Sequence, residues 1–242
     1  MEVLLAETRG RTRLLTLNRP RRRNALDSGL LRALERGFAA AEADEAIDVI
    51  VLTGADPAFC AGVDLGELEE RGRAPEMGAP LDGVSKPVIG AVNGPAITGG
   101  LELALMCDLI VASERASFGD THGRVGLLPG WGQMGRLPAT VGTRRAAEML
   151  LTSRILDAEE ALSIGLVNAV APHEQLIDRA LGLADAILAA DQPAVRAMLA
   201  QLREGAGTPL GEALALERER ADAWQGAGFD TDLVSRKRES LR

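Results

Sequence analysis

The sequence predicts an α/β fold, and three observations carry that reading. Short apolar runs with β-propensity alternate with stretches of helical periodicity over the first half. Glycines collect at the joints between them, and from Thr143 onward the pattern turns mostly helical. Thr12–Leu17 and Ile47–Thr53 read as strands, separated by an amphipathic helix over Leu30–Ala43 that starts after Asp27 or Ser28. Pro87–Val92 reads as a further strand. It leads through a glycine-bearing turn into a helix at about Gly99–Met106 and a strand at Asp108–Ala112. Beyond Thr143 a short strand is expected at Leu166–Val170. Helices are expected at Glu174–Ala190, Pro193–Glu204, Pro209–Trp224 and Thr231–Arg238. The chain is therefore divided into a core over residues 1–190 and a helical region over 191–242, and no fixed-period repeat is visible.

Composition narrows the function. With 242 residues, 46% apolar and 26% charged, the chain is globular. No apolar run approaches the roughly 20 residues of a membrane span, and the opening MEVLLAETRG lacks the pattern of a secretory leader, so a cytoplasmic protein with no membrane contact is expected. A net charge of −8 argues against nucleic acid, although Arg21, Arg22 and Arg23 form a local basic run fit for a phosphate. Two cysteines, Cys60 and Cys107, lack metal-ligand spacing, so no metal site is expected. With two histidines and no tyrosine, few groups can move protons near neutral pH.

The most informative stretch runs from Lys86 to Asp108, KPVIGAVNGPAITGGLELALMCD, a strand entering a glycine turn and then a helix. Gly99 and Gly100 fall at the helix start, where unpaired N–H groups and the positive end of the helix dipole favour an oxyanion. A second turn, Pro57 to Leu65 (PAFCAGVDL), follows the Ile47–Thr53 strand and offers the N–H of Val63 toward the same point. Two converging donors would make an oxyanion hole. Either turn taken alone reads as a plain, tight strand-to-helix connection, because glycine turns are common.

Together these segments resemble the crotonase superfamily of enoyl-CoA hydratases and isomerases. The resemblance runs through Asn18-Arg-Pro, Asn24-Ala-Leu26, Val51-Leu-Thr-Gly54, Ala58 to Asp64 and Lys86-Pro-Val88. It continues through Asn93-Gly94, Gly99-Gly-Leu-Glu102, Cys107-Asp108, Phe118-Gly119, Leu128-Pro-Gly130 and Ala161 to Val167. It implies a spiral of ββα units with a helical C-terminal trimerisation region, and self-association as a trimer or dimer of trimers. It also implies an acyl-CoA thioester substrate, coenzyme A entering only as part of that substrate and no further cofactor. By position it assigns the oxyanion donors to Val63 and Gly99, and coenzyme A contacts to Arg21, Arg22, Arg23, Ala61, Asp64 and Leu65.

In hydratases of the family two glutamates flank the enoyl group. Glu102 matches the first. The second falls on His122, and Thr98 stands where a glycine is usual. Hydration of a 2-enoyl-CoA is the leading expectation, with Glu102 and His122 as the proton-handling pair. Double-bond isomerisation, binding without turnover, and thioester hydrolysis with Cys60 as nucleophile are the alternatives. His173 reads as a surface or capping residue, Asp108 as a group that satisfies backbone, and Trp131 as a wall of the acyl pocket or a core aromatic. The charged run with Glu67, Glu69 and Glu70 reads as a solvated face.

Overall fold

A computed structural model describes residues 2–72 and 78–226, and the helix expected at Thr231–Arg238 lies outside them. The chain divides into two compact units, residues 1–196 and 197–242, where the sequence reading drew the line after residue 190.

The first unit is built on a six-stranded sheet. Its strands are β1 (Leu4–Arg9), β2 (Thr12–Leu17), β3 (Val49–Gly54), β4 (Val88–Val92), β6 (Leu109–Ser113) and β9 (Ala169–Ala171), in that spatial order. Only the β1–β2 hairpin is antiparallel; every later pair is parallel. Alternate residues of the same strand enter two different cores. Ile50 and Leu52 pack on one face with Val88 and Ile110, while Val49 and Val51 pack on the other with Ile89 and Val111. Burial on both faces is why these strands read as unbroken apolar runs, as parallel sheets require. The expected strand at Leu166–Val170 forms three residues later, because Leu166 and Val167 are buried in the core ahead of the ladder.

A second, three-stranded sheet joins β5 (Pro95–Ile97), β7 (Ser117–Gly119) and β8 (Ile155–Asp157). The two sheets alternate along the chain. β4 in the large sheet is followed by β5 in the small one and then by helix α3 (Gly99–Leu105). Likewise β6 is followed by β7 and, after a 3-10 turn at His122–Arg124, by α4 (Gln133–Val141). β3 follows the same course: Cys60 bridges Ala96 at the small sheet before helix α2 (Leu65–Arg71) begins. Three successive turns of one spiral thus share a plan, although their first strands start at the unevenly spaced Val49, Val88 and Leu109.

Helix α1 (Ser28–Ala43) begins where Asp27 accepts a hydrogen bond from the Leu30 N–H, and it buries Leu30, Leu31, Leu34 and Phe38. Its start is held a second way. Glu67 of the charged run accepts from the Ser28 N–H at 2.7 Å and from the Ser28 hydroxyl, so this residue is a tie between α1 and α2 and not a solvated face. Its far end is closed by the buried Lys86, whose ammonium donates to the carbonyls of Ala41 (2.7 Å) and Asp44 (2.8 Å). The remaining helices of this unit are α5 (Thr143–Thr152), α6 (Ala158–Ser163) and α7 (Leu176–Leu188). α8 (Gln192–Gly205) crosses the boundary, and α9 (Leu210–Gly226) belongs to the second unit. Leu210, Leu214 and Trp224 of α9 are exposed in the single chain.

Asp48 shows where charge supports the first unit. Its buried carboxylate accepts from Arg11 and from Arg196 at 2.7 Å. Burial pushes this carboxyl up, but the two guanidinium groups outweigh that and hold it below the ordinary range. The folded value lies below the unfolded one near 3.9, so the stabilisation is present above about pH 4 and is lost as the pH falls through the folded value. Asp48→Ala, which removes the shared acceptor of two partly exposed guanidinium groups, is expected to lower stability by about 1–2 kcal/mol at neutral pH, read from the urea midpoint. A change under about 0.5 kcal/mol would show that solvent already screens the cluster.

Candidate active site

Two backbone hydrogen bonds bring the two glycine turns together. The Cys60 N–H donates to Pro95 O and the Ile97 N–H to Cys60 O, each at 3.0 Å, so the first turn is laced to β5, which feeds the second. On its other side the first turn is held by Leu26, whose N–H donates to Gly62 O (2.7 Å) and whose carbonyl accepts from Asp64 N (3.0 Å). These bonds bracket Val63 and leave its own N–H with no partner among the described residues. The N–H of Gly99, at the first position of α3, is likewise unpartnered there. The two turns touch: a Cβ on Gly99 would lie 3.6 Å from Val63 N, and one on Gly62 would lie 3.2 Å from Gly99 N.

Glycine is required at two places for different reasons. Gly62 has φ +91°, a conformation that strains other residues. Gly100 sits against the first turn, where a Cβ would meet Cys60 O at 2.0 Å. Thr98 takes φ +58° with a β-branched side chain, and it is retained by hydrogen bonds from its N–H to Gly119 O (2.8 Å) and between its hydroxyl and that of Thr121 (2.6 Å). The motif asparagines serve the same frame. Asn24 donates to the carbonyls of Ala55 and Ala58, and Asn93 donates to Asp56 while accepting from Gly54 N.

Glu102 lies one turn into α3 and is buried. Its Oε1 accepts from the N–H groups of Gly130 (3.1 Å) and Trp131 (2.7 Å), which leaves Oε2 facing His122 Nε2 at 3.8 Å. That separation is too long for a direct hydrogen bond and short enough for both atoms to reach one water. The two residues paired in the sequence reading are therefore neighbours. Trp131 contributes its backbone to this arrangement while its side chain packs, partly buried, on the core.

Two residues that the sequence reading passed over stand behind His122. Asp120, buried, accepts from His122 Nδ1 (2.6 Å) and His122 N (3.0 Å), and from Gln133 Nε2 (2.5 Å). A carboxylate only accepts, so Nδ1 carries a proton, and in the neutral ring Nε2 presents its lone pair toward Glu102. Burial pushes the Asp120 carboxyl up, but the bonds from His122 and Gln133 outweigh it and hold the group below the ordinary range. An aspartate two residues before a histidine was the available signal, and it is weak because Asp-x-His also caps ordinary turns.

Arg21 and Arg22, on a 3-10 turn at Pro20–Arg22, and the neighbouring Arg23 are all exposed. Arg23 O accepts from Ala61 N at 3.0 Å, which sets the basic run beside the first glycine turn. Asp64 caps α2 by accepting from Gly66 N, and it pairs with Arg19 at 2.9 Å; Leu65, the first residue of α2, is exposed. Asp108 accepts from Val88 N and so satisfies backbone, as expected.

Cys60 is fully buried, and burial pushes its thiol up to about 12, so no useful thiolate exists near neutral pH. The reading of Cys60 as a nucleophile fails on that ground. His173, partly buried at the start of a 3-10 turn, bridges the Ser113 hydroxyl (3.0 Å) and Asp56 (3.1 Å). This serine–histidine–aspartate chain is structural, because Ser113 is 0% exposed and no substrate can reach its oxygen.

The family described as enoyl-CoA hydratase/isomerase matches residues 8–226. A probable enoyl-CoA hydratase of Rhizobium meliloti is 40% identical over 224 residues, covering 90% of this chain and 87% of its own. The 2,3-dehydroadipyl-CoA hydratase of Escherichia coli is 39% identical over 226 residues, with 90% and 89% covered. The crystal structure of an enoyl-CoA hydratase from Mycobacterium tuberculosis superposes with a TM-score of 0.81 at 48% identity, over 93% of this chain and all of that one. The spiral of ββα turns is thus the crotonase fold, and with matches spanning nearly its whole length this chain belongs to the enoyl-CoA hydratase/isomerase family.

Proposed function

We propose that the protein hydrates a 2-enoyl-CoA thioester. The observation that carries this reading is the pairing of Glu102 Oε2 with His122 Nε2 at 3.8 Å, on the helix whose first free N–H belongs to Gly99. In the proposed reaction the N–H groups of Val63 and Gly99 hold the thioester oxygen, and negative charge collects there as the oxygen of water adds to the β-carbon. One of the paired side chains takes a proton from water and the other gives one to the α-carbon. The elements of water are added with no change of redox state, so the reaction needs no redox cofactor. Relatives named as hydratases support the choice over isomerisation.

Coenzyme A is assigned in this proposal to Arg21, Arg22, Arg23, Ala61, Asp64 and Leu65, with the exposed guanidinium groups meeting its phosphates. A cytoplasmic location and assembly into a trimer or a dimer of trimers belong to the same proposal. The exposed Leu210, Leu214 and Trp224 support assembly, and light scattering of the full chain at micromolar concentration tests it, with a monomer refuting it.

Loss of the ultraviolet absorbance of the conjugated enoyl thioester, followed across acyl chains of increasing length, tests the reaction. Formation of a 3-hydroxyacyl-CoA is the expected product. Migration of the double bond without uptake of water would replace hydration by isomerisation. Release of free thiol would replace it by hydrolysis.

A further inference from the structure

Resting on that reading, we infer that Asp120 is a positioning residue that makes His122 the base toward water and leaves Glu102 as the acid toward the α-carbon. Asp120 Oδ2 fixes the proton of His122 on Nδ1, and the Nε2 of the neutral ring then faces Glu102 Oε2 at 3.8 Å with its lone pair. Gln133 Nε2 donates to the same Oδ2, while the buried Gln133 Oε1 has no partner among the described residues. Amide and imidazole thus both donate to one carboxylate oxygen, which holds the imidazole proton on Nδ1.

The step balances. A C–O bond forms at the β-carbon as one O–H bond of water breaks, and that proton goes to Nε2. The carbon–carbon π bond opens toward the thioester, and the enolate takes a proton from the Glu102 carboxyl to form the C–H bond at the α-carbon. The proton on Nε2 then returns to Glu102 Oε2, which restores both groups. The imidazolium that exists in between faces the Asp120 carboxylate at 2.6 Å, so charge appears where a counter-charge already stands.

A merely local role is the competing account, because Asp120 Oδ1 also accepts from the His122 N–H and closes its turn. Asp120→Asn separates the two. An asparagine in the same rotamer keeps its oxygen on His122 N and turns its NH₂ toward Nδ1. Gln133 can rotate its unpartnered Oε1 onto that NH₂, so the packing survives while the polarity reverses. The Nδ1 proton is then displaced to Nε2, and the lone pair needed for water is lost, as for the aspartate-to-asparagine change in a serine-protease triad.

With only two histidines in the chain, nitrogen-15 imidazole spectra read this directly. His173 serves as an internal reference of opposite sense, because its Nε2 faces Asp56. In alkaline buffer the parent is expected to show His122 protonated on Nδ1 and His173 on Nε2. Asp120→Asn is expected to move only the His122 proton to Nε2. It should lower kcat on a four-carbon 2-enoyl-CoA by about 10²–10⁴-fold, with KM within about threefold of the parent. His122 found protonated on Nε2 in the parent would overturn the inference without any variant. A shifted tautomer with kcat within threefold of the parent would overturn it as well. If the parent adds no water to any enoyl-CoA the hydratase reading falls, and the tautomer in parent and variant still decides whether Asp120 orients His122.

Discussion

Glu102→Gln is expected to reduce kcat for hydration by about 10²–10⁴-fold while changing KM little. Glutamine has the size of glutamate, and its oxygen can still accept from the Gly130 and Trp131 N–H groups. What it cannot do is exchange a proton at the atom facing His122. His122→Ala should fall by a similar factor, and the double variant should be no more than about tenfold slower than the worse single, because both groups act in one addition. Rapid kinetics on a short enoyl-CoA measures all three. An unchanged kcat in either single variant would remove that residue from the chemistry. The structure also qualifies the exchange that would restore two glutamates. His122→Glu alone sets the new carboxylate against Asp120, which lies 2.6 Å from the present ring, and like charges at that distance do not both ionise. Combined with Asp120→Asn the conflict is gone, so the double variant should be faster than Asp120→Asn by itself.

The second large effect is expected at Gly100. An alanine methyl there would stand 2.0 Å from Cys60 O and 2.8 Å from Cys60 C, and both are backbone atoms that no side-chain rotation can move. Relief requires the first turn to leave β5, which breaks the Ile97–Cys60 and Cys60–Pro95 bonds and separates Val63 from Gly99. Gly100→Ala should therefore lose about 3–5 kcal/mol of stability. Whatever fraction folds should lose about 10²–10³-fold in kcat through the displaced donor. Gly182→Ala in α7 is the control. Its methyl would meet nothing within 4 Å, so a gain of about 0.5–1 kcal/mol from helix propensity is expected. Equal stability of the two variants in urea would show that the Cys60 contact is not tight.

The sequence was most legible where one physical demand acted alone. β2, β4, β6, α1 and α3 were found within a few residues because α1 shows one apolar stripe and the others are largely apolar runs bounded by turn residues. β1 was missed because only Leu4 is buried on an edge strand whose other residues face solvent. β5, β7 and β8 have three residues each, too few for a period to appear. α4, with Pro138 inside it, carries a helix breaker in its own sequence. The spiral escaped any search for repeats because its turns differ in length. At the site, Val63, Gly99, Glu102 and His122 were chosen from motifs, whereas Asp120 and Gln133 became visible only when folding set them behind the imidazole.

The two free N–H groups belong to the main chain, and that divides the site into parts with different freedom to change. Substituting the side chain at position 63 leaves an N–H in place unless proline is introduced, so the proposed cradle for a thioester oxygen survives most mutations and is lost mainly through glycines that hold the turns together. The proton-moving groups of the proposed mechanism are side chains, each open to replacement by a single substitution. A lineage built on this scaffold can therefore keep its hold on the thioester while exchanging the groups that act on the acyl carbons. In the mechanism proposed above, the histidine backed by Asp120 would be one such exchange.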